Sequence, residues 1–102
     1  ELDPLNVDIE TLVNGETRQK YNSGDMAFSY GEYAEYLSRD FTFYPGDMLS
    51  GGTGAGTAAD SSQTGDDGKP LPDRFLKPGD QVDITSPTIG TLRTTIVEGE
   101  RA

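Results

Sequence analysis

The residues whose types and spacing best suit ligand binding form a glycine-rich stretch at positions 50–62, SGGTGAGTAADSS. Its closely spaced glycines let the backbone adopt positive φ angles or approach another group closely. Backbone N–H groups in such loops can bind anions, and Thr53 adds a hydroxyl donor in the middle. Taken alone, the stretch predicts a neutral loop that contacts an anion.

Motifs of similar composition fail here on missing residues. A Walker A loop needs Gly-Lys-Ser/Thr, and no lysine lies between Lys20 and Lys69. The dinucleotide fingerprint fails because residues 52–56 read GxGxG with no helical pattern after them. A nucleophile elbow would need GxSxG and a histidine base, and the chain has neither. The residues by themselves support no catalytic constellation.

A hydrophilic segment at residues 60–73 follows the glycines. From Asp60 onward it matches the first ligand positions of an EF-hand calcium loop, but Leu71 stands where the last, bidentate glutamate is required. We therefore interpret residues 60–73 as a flexible insertion loop on the surface.

The composition narrows the possible classes of protein. With 18 Asp and Glu against 8 Lys and Arg, the net charge is −10, which disfavours binding to nucleic acid or to an anionic membrane. The absence of cysteine and histidine excludes disulfides and thiolate or imidazole metal ligands. The absence of cysteine is also compatible with the cytoplasmic location that we expect.

The apolar content is low for an independent domain. Leu, Ile, Val and Phe make up about a fifth of the 102 residues, near the composition of disordered chains when net charge is high. The sequence thus predicts either partial disorder or a segment of something larger.

The elements that would position the glycine-rich stretch begin with a hairpin at residues 7–22. Asn14-Gly15 splits it and is typical of a type I′ turn. The second arm, residues 16–21, is polar and is predicted to be an edge or solvent-facing strand. Towards the other end of the chain, residues 82–85 and 91–97 alternate apolar and polar residues around Pro87 and Gly90, which predicts a second strand pair.

A helix is predicted at about residues 29–39. Ser29 and Glu32 form a capping box, and an aromatic stripe follows at helical spacing, which predicts one buried face. The stripe comprises Tyr30, Tyr33, Ala34 and Leu37. Core packing is the first interpretation of these tyrosines, and stacking on a ligand is the alternative.

Two Pro-Gly pairs, at positions 45–46 and 78–79, predict type II turns before strands. The aspartates that follow them, Asp47 and Asp80, are interpreted as turn residues and not as catalytic carboxylates. The first turn would lead into a short strand at residues 47–49, directly before the glycine-rich stretch.

Five segments follow one another in a specific order: VNGETRQ, DMAFS, YLSRDFTFYPGD, LSGGTGAG and FLKPGDQVDITSPTIGTLRTTIV. This order resembles the C-terminal part of the fumarylacetoacetate hydrolase family, with its NGE-x-RQ hairpin, DM-x-FS segment, PGD turn, TGT-P-AG loop and LKPGD strand pair. The resemblance extends over about residues 3–97. Each match is weak alone, and their common order is specific.

The resemblance implies an α+β, mostly β fold: a fragment of the mixed β-sandwich or β-roll of that family, with one short helix. Residues 1–102 would be the C-terminal segment of a single catalytic domain whose upstream portion is absent. The whole protein would be a homodimeric enzyme of the kind found in aromatic catabolism. It would use Mg²⁺, or Mn²⁺ or Ca²⁺, to polarise a 2-oxo acid for C–C bond hydrolysis, decarboxylation, hydration or isomerisation.

The resemblance also places the metal carboxylates and the acid/base residues upstream of the NGE hairpin, so no catalytic or metal-binding residue is expected in this segment. Thr53 matches the family's threonine that contacts the substrate carboxylate, and the backbone N–H of Gly52 could assist it. Such donors suit a carboxylate because they add no positive charge that competes with the metal. A plain loop role for Thr53 is the alternative.

Two departures lie in the loop. Gly51 stands where the family often has Thr, and Gly54 where it usually has Pro, so we expect a more flexible loop and do not carry over a substrate preference. Two other readings of the whole chain stay open: a small acidic β module that binds a partner by edge-strand addition, and a remnant without activity. The segment alone is expected to be inactive.

Overall fold

The computed structural model describes residues 2–61, 66–69 and 74–100. Its centre is an antiparallel sheet of four strands in the order β2-β1-β3-β4. The strands are β1 (Asp8–Val13), β2 (Glu16–Asn22), β3 (Gln81–Ser86) and β4 (Gly90–Thr95). The helices are α1 (Tyr30–Leu37) and the four-residue α2 (Ala58–Ser61), and a 3-10 turn spans Ser23–Asp25. The predicted α+β, mostly β class is confirmed.

The first hairpin turns at Asn14 and Gly15, which have φ angles of 51° and 81°. Positive φ at both central residues defines the predicted type I′ turn. The Asn14 side chain also joins this turn to the start of β3: its Nδ2 donates to Asp80 Oδ1 at 2.9 Å, and its Oδ1 accepts from the Gln81 N–H at 2.9 Å. The first hairpin and the start of β3 are thereby held together beside the turn.

Strand β2 is an edge of the described sheet, as its polar sequence predicts, and it contains a β-bulge. Thr11 of β1 pairs with Gln19, whereas the next residue of β1 pairs with Thr17, so Arg18 is the extra residue. Such bulges bend a strand and re-aim its side chains. From the register, Gln19 and Tyr21 project from the same face of the sheet as Ile9.

The same face continues across the sheet as a largely uncovered apolar surface. Ile84 and Leu92 are cross-strand partners on β3 and β4, and they are 42% and 64% exposed. Among the described residues, the only buried apolar side chains are Val7 and Val13. The thin core expected from the composition is therefore observed in the described residues.

Helix α1 begins at the predicted capping box: Ser29 Oγ accepts from the Glu32 N–H at 3.2 Å, and Glu32 Oε2 accepts from the Ser29 N–H at 2.8 Å. It ends at Leu37, two residues before the predicted end. The predicted face is present but only partly buried: Tyr33, Ala34 and Leu37 are half-buried, Tyr30 is 37% exposed, and no residue of α1 is fully buried. The apolar stripe is present, but no described element packs over it closely enough to bury it.

Both predicted Pro-Gly turns form. Gly46 and Gly79 have φ angles of 98° and 95°, and the N–H groups of Asp47 and Asp80 donate to the carbonyl oxygens of Tyr44 and Lys77. Each aspartate also accepts from the first N–H of its turn, at 2.8 Å and 2.9 Å, respectively. Their role as turn residues is confirmed.

The predicted strand at residues 47–49 is wrong. These residues have no regular structure, and Met48 is 93% exposed. A strand needs a neighbouring backbone for its hydrogen bonds, and the described sheet ends elsewhere, at β2 and β4.

The predicted strand pair near the C-terminus is confirmed as β3 and β4, although β4 ends at Thr95, two residues early. Asp60 and Ser61, which were placed in the insertion loop, belong to α2. Residues 62–65 and 70–73 of that loop lie outside the described residues. Within the part of the chain that the structure describes, no helix has the length and hydropathy needed to cross a bilayer.

Candidate functional site

An open pocket of about 900 Å³ lies beside the end of β2. One side is formed by residues 20–28, which include the end of β2 and the 3-10 turn. Tyr30 and Tyr33 of α1 form a second side, and residues 50–55 form the third. The volume is in the range of pockets that bind small molecules.

Both substrate-binding residues predicted from the sequence, Thr53 and Gly52, line this pocket. Gly52 has a φ of 81°, an angle that favours glycine at this position. Its N–H donates to Ser50 Oγ in a long bond of 3.3 Å. An incoming carboxylate could replace this weak acceptor. Thr53 is exposed to the pocket, so its hydroxyl is accessible to a ligand.

Gln19 holds the glycine-rich loop against β2. Its Nε2 donates to Thr53 Oγ1 at 3.0 Å and to the Gly54 carbonyl oxygen at 2.8 Å. Gln19 lies on β2, which is paired with β1 in a defined register. Its bonds therefore hold the loop in place against a rigid element.

Two of the loop's glycines are required by close approach. A side chain at Gly54 would overlap the Tyr21 ring, and a side chain at Gly56 would overlap the carbonyl oxygen of Arg18, the bulge residue. Gly54 was interpreted as a source of flexibility. The structure gives a second reason for glycine, because Tyr21 fills the space of a side chain.

Gly51 also makes room for its neighbours. A Cβ at this position would lie 2.9 Å from Met26 Cε and 2.9 Å from the Tyr30 hydroxyl oxygen. Tyr30 therefore reaches the loop, and Tyr30 and Tyr33 line the pocket together with the Phe28 side chain, which is 68% exposed. This arrangement fits the alternative interpretation of the tyrosines, in which their rings contact a ligand.

Lys20 and Asp25 are the charged side chains among the pocket-lining residues. Asp25 Oδ2 accepts from the Asn22 N–H at 3.0 Å, which closes the 3-10 turn. The described residues contain no group of three or more acidic side chains that could hold a metal ion. A divalent ion therefore does not fit on these residues alone.

The carboxylates with shifted pKa values lie outside the pocket lining and serve structure. Hydrogen bonds from Ser29 lower the pKa of Glu32 at the start of α1. Hydrogen bonds from the Lys77 N–H and from Asn14 lower the pKa of Asp80. The Arg93 guanidinium lowers the pKa of Asp83 across β3 and β4, and that carboxylate raises the pKa of Arg93.

Gln19 and Tyr21 belong to the site but were not predicted from the sequence. A signal was present in the second arm of the hairpin, where the two side chains are two residues apart and so share one face. What the sequence does not reveal is that this face meets residues 53–56, because the contact joins positions 34 residues apart.

The sequence matches the family model described as "Fumarylacetoacetate (FAA) hydrolase C-terminal" over residues 1–97. It is also 40% identical, over 95 residues, to an uncharacterised protein of Staphylococcus aureus strain USA300. That alignment covers 93% of this chain and 29% of the relative, so the chain spans less than a third of the length of that protein.

The fold is similar to that of solved structures. A fumarylacetoacetate hydrolase from Exiguobacterium antarcticum aligns with a TM-score of 0.82 and 30% identity, covering 96% of this chain and 32% of that one. A 5-carboxymethyl-2-hydroxymuconate delta-isomerase from Mycobacterium smegmatis aligns with a TM-score of 0.73 and 32% identity, covering 98% of this chain and 34% of that one. The similarity thus extends over nearly the whole chain and about a third of each enzyme.

Proposed function

The chain belongs to the fumarylacetoacetate hydrolase family, and from this premise we propose that the protein is a divalent-metal-dependent enzyme acting on 2-oxo acids. Residues 50–56 would form the wall of the substrate site that binds the carboxylate. The observation that carries this proposal is the position of Thr53 and Gly52 on a pocket of small-molecule size, with Gln19 bonded to the threonine hydroxyl.

The chemistry of this wall supports a carboxylate as its ligand. Its donors are the Thr53 hydroxyl and the Gly52 N–H, both neutral, and hydrogen bonds to a charged acceptor are stronger than those between neutral groups. Tyr30 and Tyr33 also line the pocket, and Tyr30 lies beside the loop at Gly51. Rings in this position can pack against the carbon chain of a substrate while the loop holds its carboxylate.

The reaction class is proposed from the enzymes of similar structure. One is named as a hydrolase and the other as an isomerase, and both names denote substrates that carry carboxylates. The hydroxymuconate unit of the second has a hydroxyl carbon beside a carboxylate, which is the enol form of a 2-oxo acid. We therefore place C–C bond hydrolysis first, with isomerisation, decarboxylation or hydration of the same substrate class as the other options.

The metal is proposed as Mg²⁺, with Mn²⁺ or Ca²⁺ as substitutes. When bound, it would polarise the 2-oxo acid. Because the described residues hold no acidic cluster for it, its ligands and the acid/base residues would lie upstream in the same protein. This segment would bind and orient the substrate, and would be inactive alone.

The upstream portion would also cover the apolar face of the sheet, where Ile84 and Leu92 are exposed. A contiguous exposed apolar surface often marks a site of contact with another part of a protein or with a partner. A homodimeric state and a cytoplasmic location complete the proposal, and light scattering of the purified protein and cell fractionation test them.

The experiment for the carboxylate role is Thr53→Val in the full-length protein. The change replaces one hydroxyl with a methyl group of similar size, and should weaken binding of a 2-oxo acid by about 1–3 kcal/mol through one lost hydrogen bond. Isothermal titration of the Mg²⁺-loaded protein with pyruvate measures it. Thr17→Val on β2 is the matched control, because its hydroxyl bonds to Glu10 outside the pocket. Equal pyruvate affinity in both variants would remove Thr53 from the site.

A second candidate function rests on β4. This edge strand of the described sheet is exposed at all six residues, which suits the binding of a partner strand. Hydrogen exchange on the full-length protein separates the two. If the β4 amides that do not bond to β3 are protected without any added partner, the edge is covered within the protein, and this candidate fails.

A further inference from the structure

The carboxamide of Gln19 lies between β2 and the glycine-rich loop, and its orientation follows from its two contacts. The Gly54 carbonyl oxygen can only accept a hydrogen bond, so the end of the carboxamide that faces it, at 2.8 Å, must be the NH₂ group. The same nitrogen is 3.0 Å from Thr53 Oγ1. An NH₂ group has two hydrogens, and the two acceptors use both.

This orientation fixes the role of the Thr53 hydroxyl. Because the Gln19 NH₂ group has no acceptor lone pair to offer, Thr53 Oγ1 must be the acceptor in their bond. The hydroxyl hydrogen cannot point at Gln19 and is left for another partner. Thr53 lines the pocket and is exposed there, so a ligand in the pocket can accept that hydrogen.

We propose that Gln19 is a positioning residue for ligand binding: it makes the Thr53 hydroxyl a committed donor towards the pocket. The proposal rests on the proposed function, because the group that accepts this hydrogen is the carboxylate of the 2-oxo acid. A hydroxyl that is free to rotate must lose that freedom on binding, whereas one already held by a donor is preorganised. Gln19 is not among the pocket-lining residues and would act through Thr53.

Gln19 has a second bond, to the Gly54 carbonyl oxygen, that serves only the structure of the loop. A test must therefore separate an effect through Thr53 from a general loosening of the loop. A double-mutant cycle does so, because two residues that act through one bond show non-additive effects.

The cycle uses Gln19→Leu, Thr53→Val and the double variant in the full-length, Mg²⁺-loaded protein, with pyruvate as the probe. Gln19→Leu should weaken pyruvate binding about tenfold when Thr53 is present, and less than about twofold when residue 53 is valine. Gln81→Leu, at the start of β3 and outside the pocket lining, is the matched control and should bind pyruvate like the wild type.

A second variant, Gln19→Glu, tests whether a hydrogen-bond donor at position 19 supports binding, because its carboxyl group gains or loses that donor with pH. An ionised glutamate cannot donate to either acceptor, whereas a protonated one can donate a single bond. Pyruvate binding by Gln19→Glu, divided by that of Gln19→Leu at the same pH, should therefore rise as the pH falls through the pKa of the new carboxyl group. The division cancels the effect of pH on metal binding.

The outcomes separate the two proposals. If Thr53→Val leaves pyruvate binding unchanged, the carboxylate role in the proposed function fails. If Thr53→Val weakens binding and Gln19→Leu does not, or if Gln19→Leu costs the same factor in both backgrounds, the positioning role of Gln19 is overturned and the proposed function stands. A flat ratio of Gln19→Glu to Gln19→Leu across the acid range also overturns it.

Discussion

The Asn14-Gly15 turn and the loop at residues 50–56 both depend on glycine, but for different physical reasons. In the turn, Gly15 has a φ of 81° and nothing lies within 4 Å of the place a Cβ would occupy. In the loop, the φ angle of Gly54 is not positive, but a side chain there would overlap the Tyr21 ring. Gly15 is needed for its backbone angle, and Gly54 is needed for close contact with β2.

The difference shows where the loop gets its position. The turn joins two strands that pair with each other, so its geometry is set by its neighbours in sequence. The loop is set by β2, through the bonds of Gln19 and the contacts of its glycines with Tyr21 and Arg18. A loop held in this way can present a rigid wall to a ligand despite its composition.

The largest effect is expected at Gly56, which combines both reasons. Gly56→Ala should destabilise the full-length protein by about 2–5 kcal/mol, since it adds the cost of a positive φ to an overlap with the Arg18 carbonyl oxygen. Gly46→Ala is the matched control, because Gly46 has the same φ of 98° and open space around it. Urea denaturation measures the difference. Equal losses in the two variants would show that the contact with the bulge adds nothing.

Gly54→Ala isolates the contact with Tyr21. We expect a loss of about 1–3 kcal/mol in unfolding free energy, because the added methyl group would overlap the ring and would also lie 3.0 Å from Tyr21 Cβ. In a Tyr21→Ala background the space is free, and the same change should cost little. Should Gly54→Ala be equally harmful in both backgrounds, the overlap with Tyr21 would not be its cause.

Gly51→Ala should have a smaller effect on stability, below about 1 kcal/mol, because the atoms it meets are the ends of flexible side chains, Met26 Cε and the Tyr30 hydroxyl. Its effect should appear in the pocket instead, as an altered pyruvate affinity, since both residues line it. A stability loss as large as that of Gly54→Ala would contradict this ranking.

The smallest effect on stability is expected at Asp80, which bonds to Asn14 of the hairpin turn. Hydrogen bonds from the Lys77 N–H and Asn14 hold its pKa below the ordinary value of 3.8, so the carboxylate is favoured in the folded state. Its contribution to stability is present above pH 3.8 and is lost as the pH falls through the lowered pKa. In Asp80→Asn the melting temperature should fall less steeply than in the wild type as the pH is lowered through this range. Asn14→Ala should show part of the same change. An unchanged slope in Asp80→Asn would contradict the linkage.

Features set by neighbouring residues were predictable from the sequence. The hairpin turn, the capping box of α1 and both Pro-Gly turns formed as expected, because each depends on residues within a few positions of one another. The strand at residues 47–49 was wrong, and the predicted face of α1 is only half-buried, because each required a partner element that the described sheet does not place there.

Only part of the candidate site was predicted from the sequence. Thr53 and Gly52 were found through the resemblance of the loop, and the structure places both on the pocket. Gln19 and Tyr21 were not found, because their part in the site depends on a β-bulge at Arg18 and on contact with a distant loop. Neither a bulge nor such a contact has a local sequence signature.

The central claim, that the loop holds a ligand carboxylate through a hydroxyl aimed by Gln19, is tested most directly by a crystal structure. The crystal should contain the full-length protein with Mg²⁺ and pyruvate. We expect a carboxylate oxygen at about 2.7 Å from Thr53 Oγ1, a normal length for such a bond, with the Gln19 NH₂ group still on Thr53 and Gly54. A carboxylate bound away from residues 52–53, or a Gln19 side chain turned out of the loop, would contradict the claim.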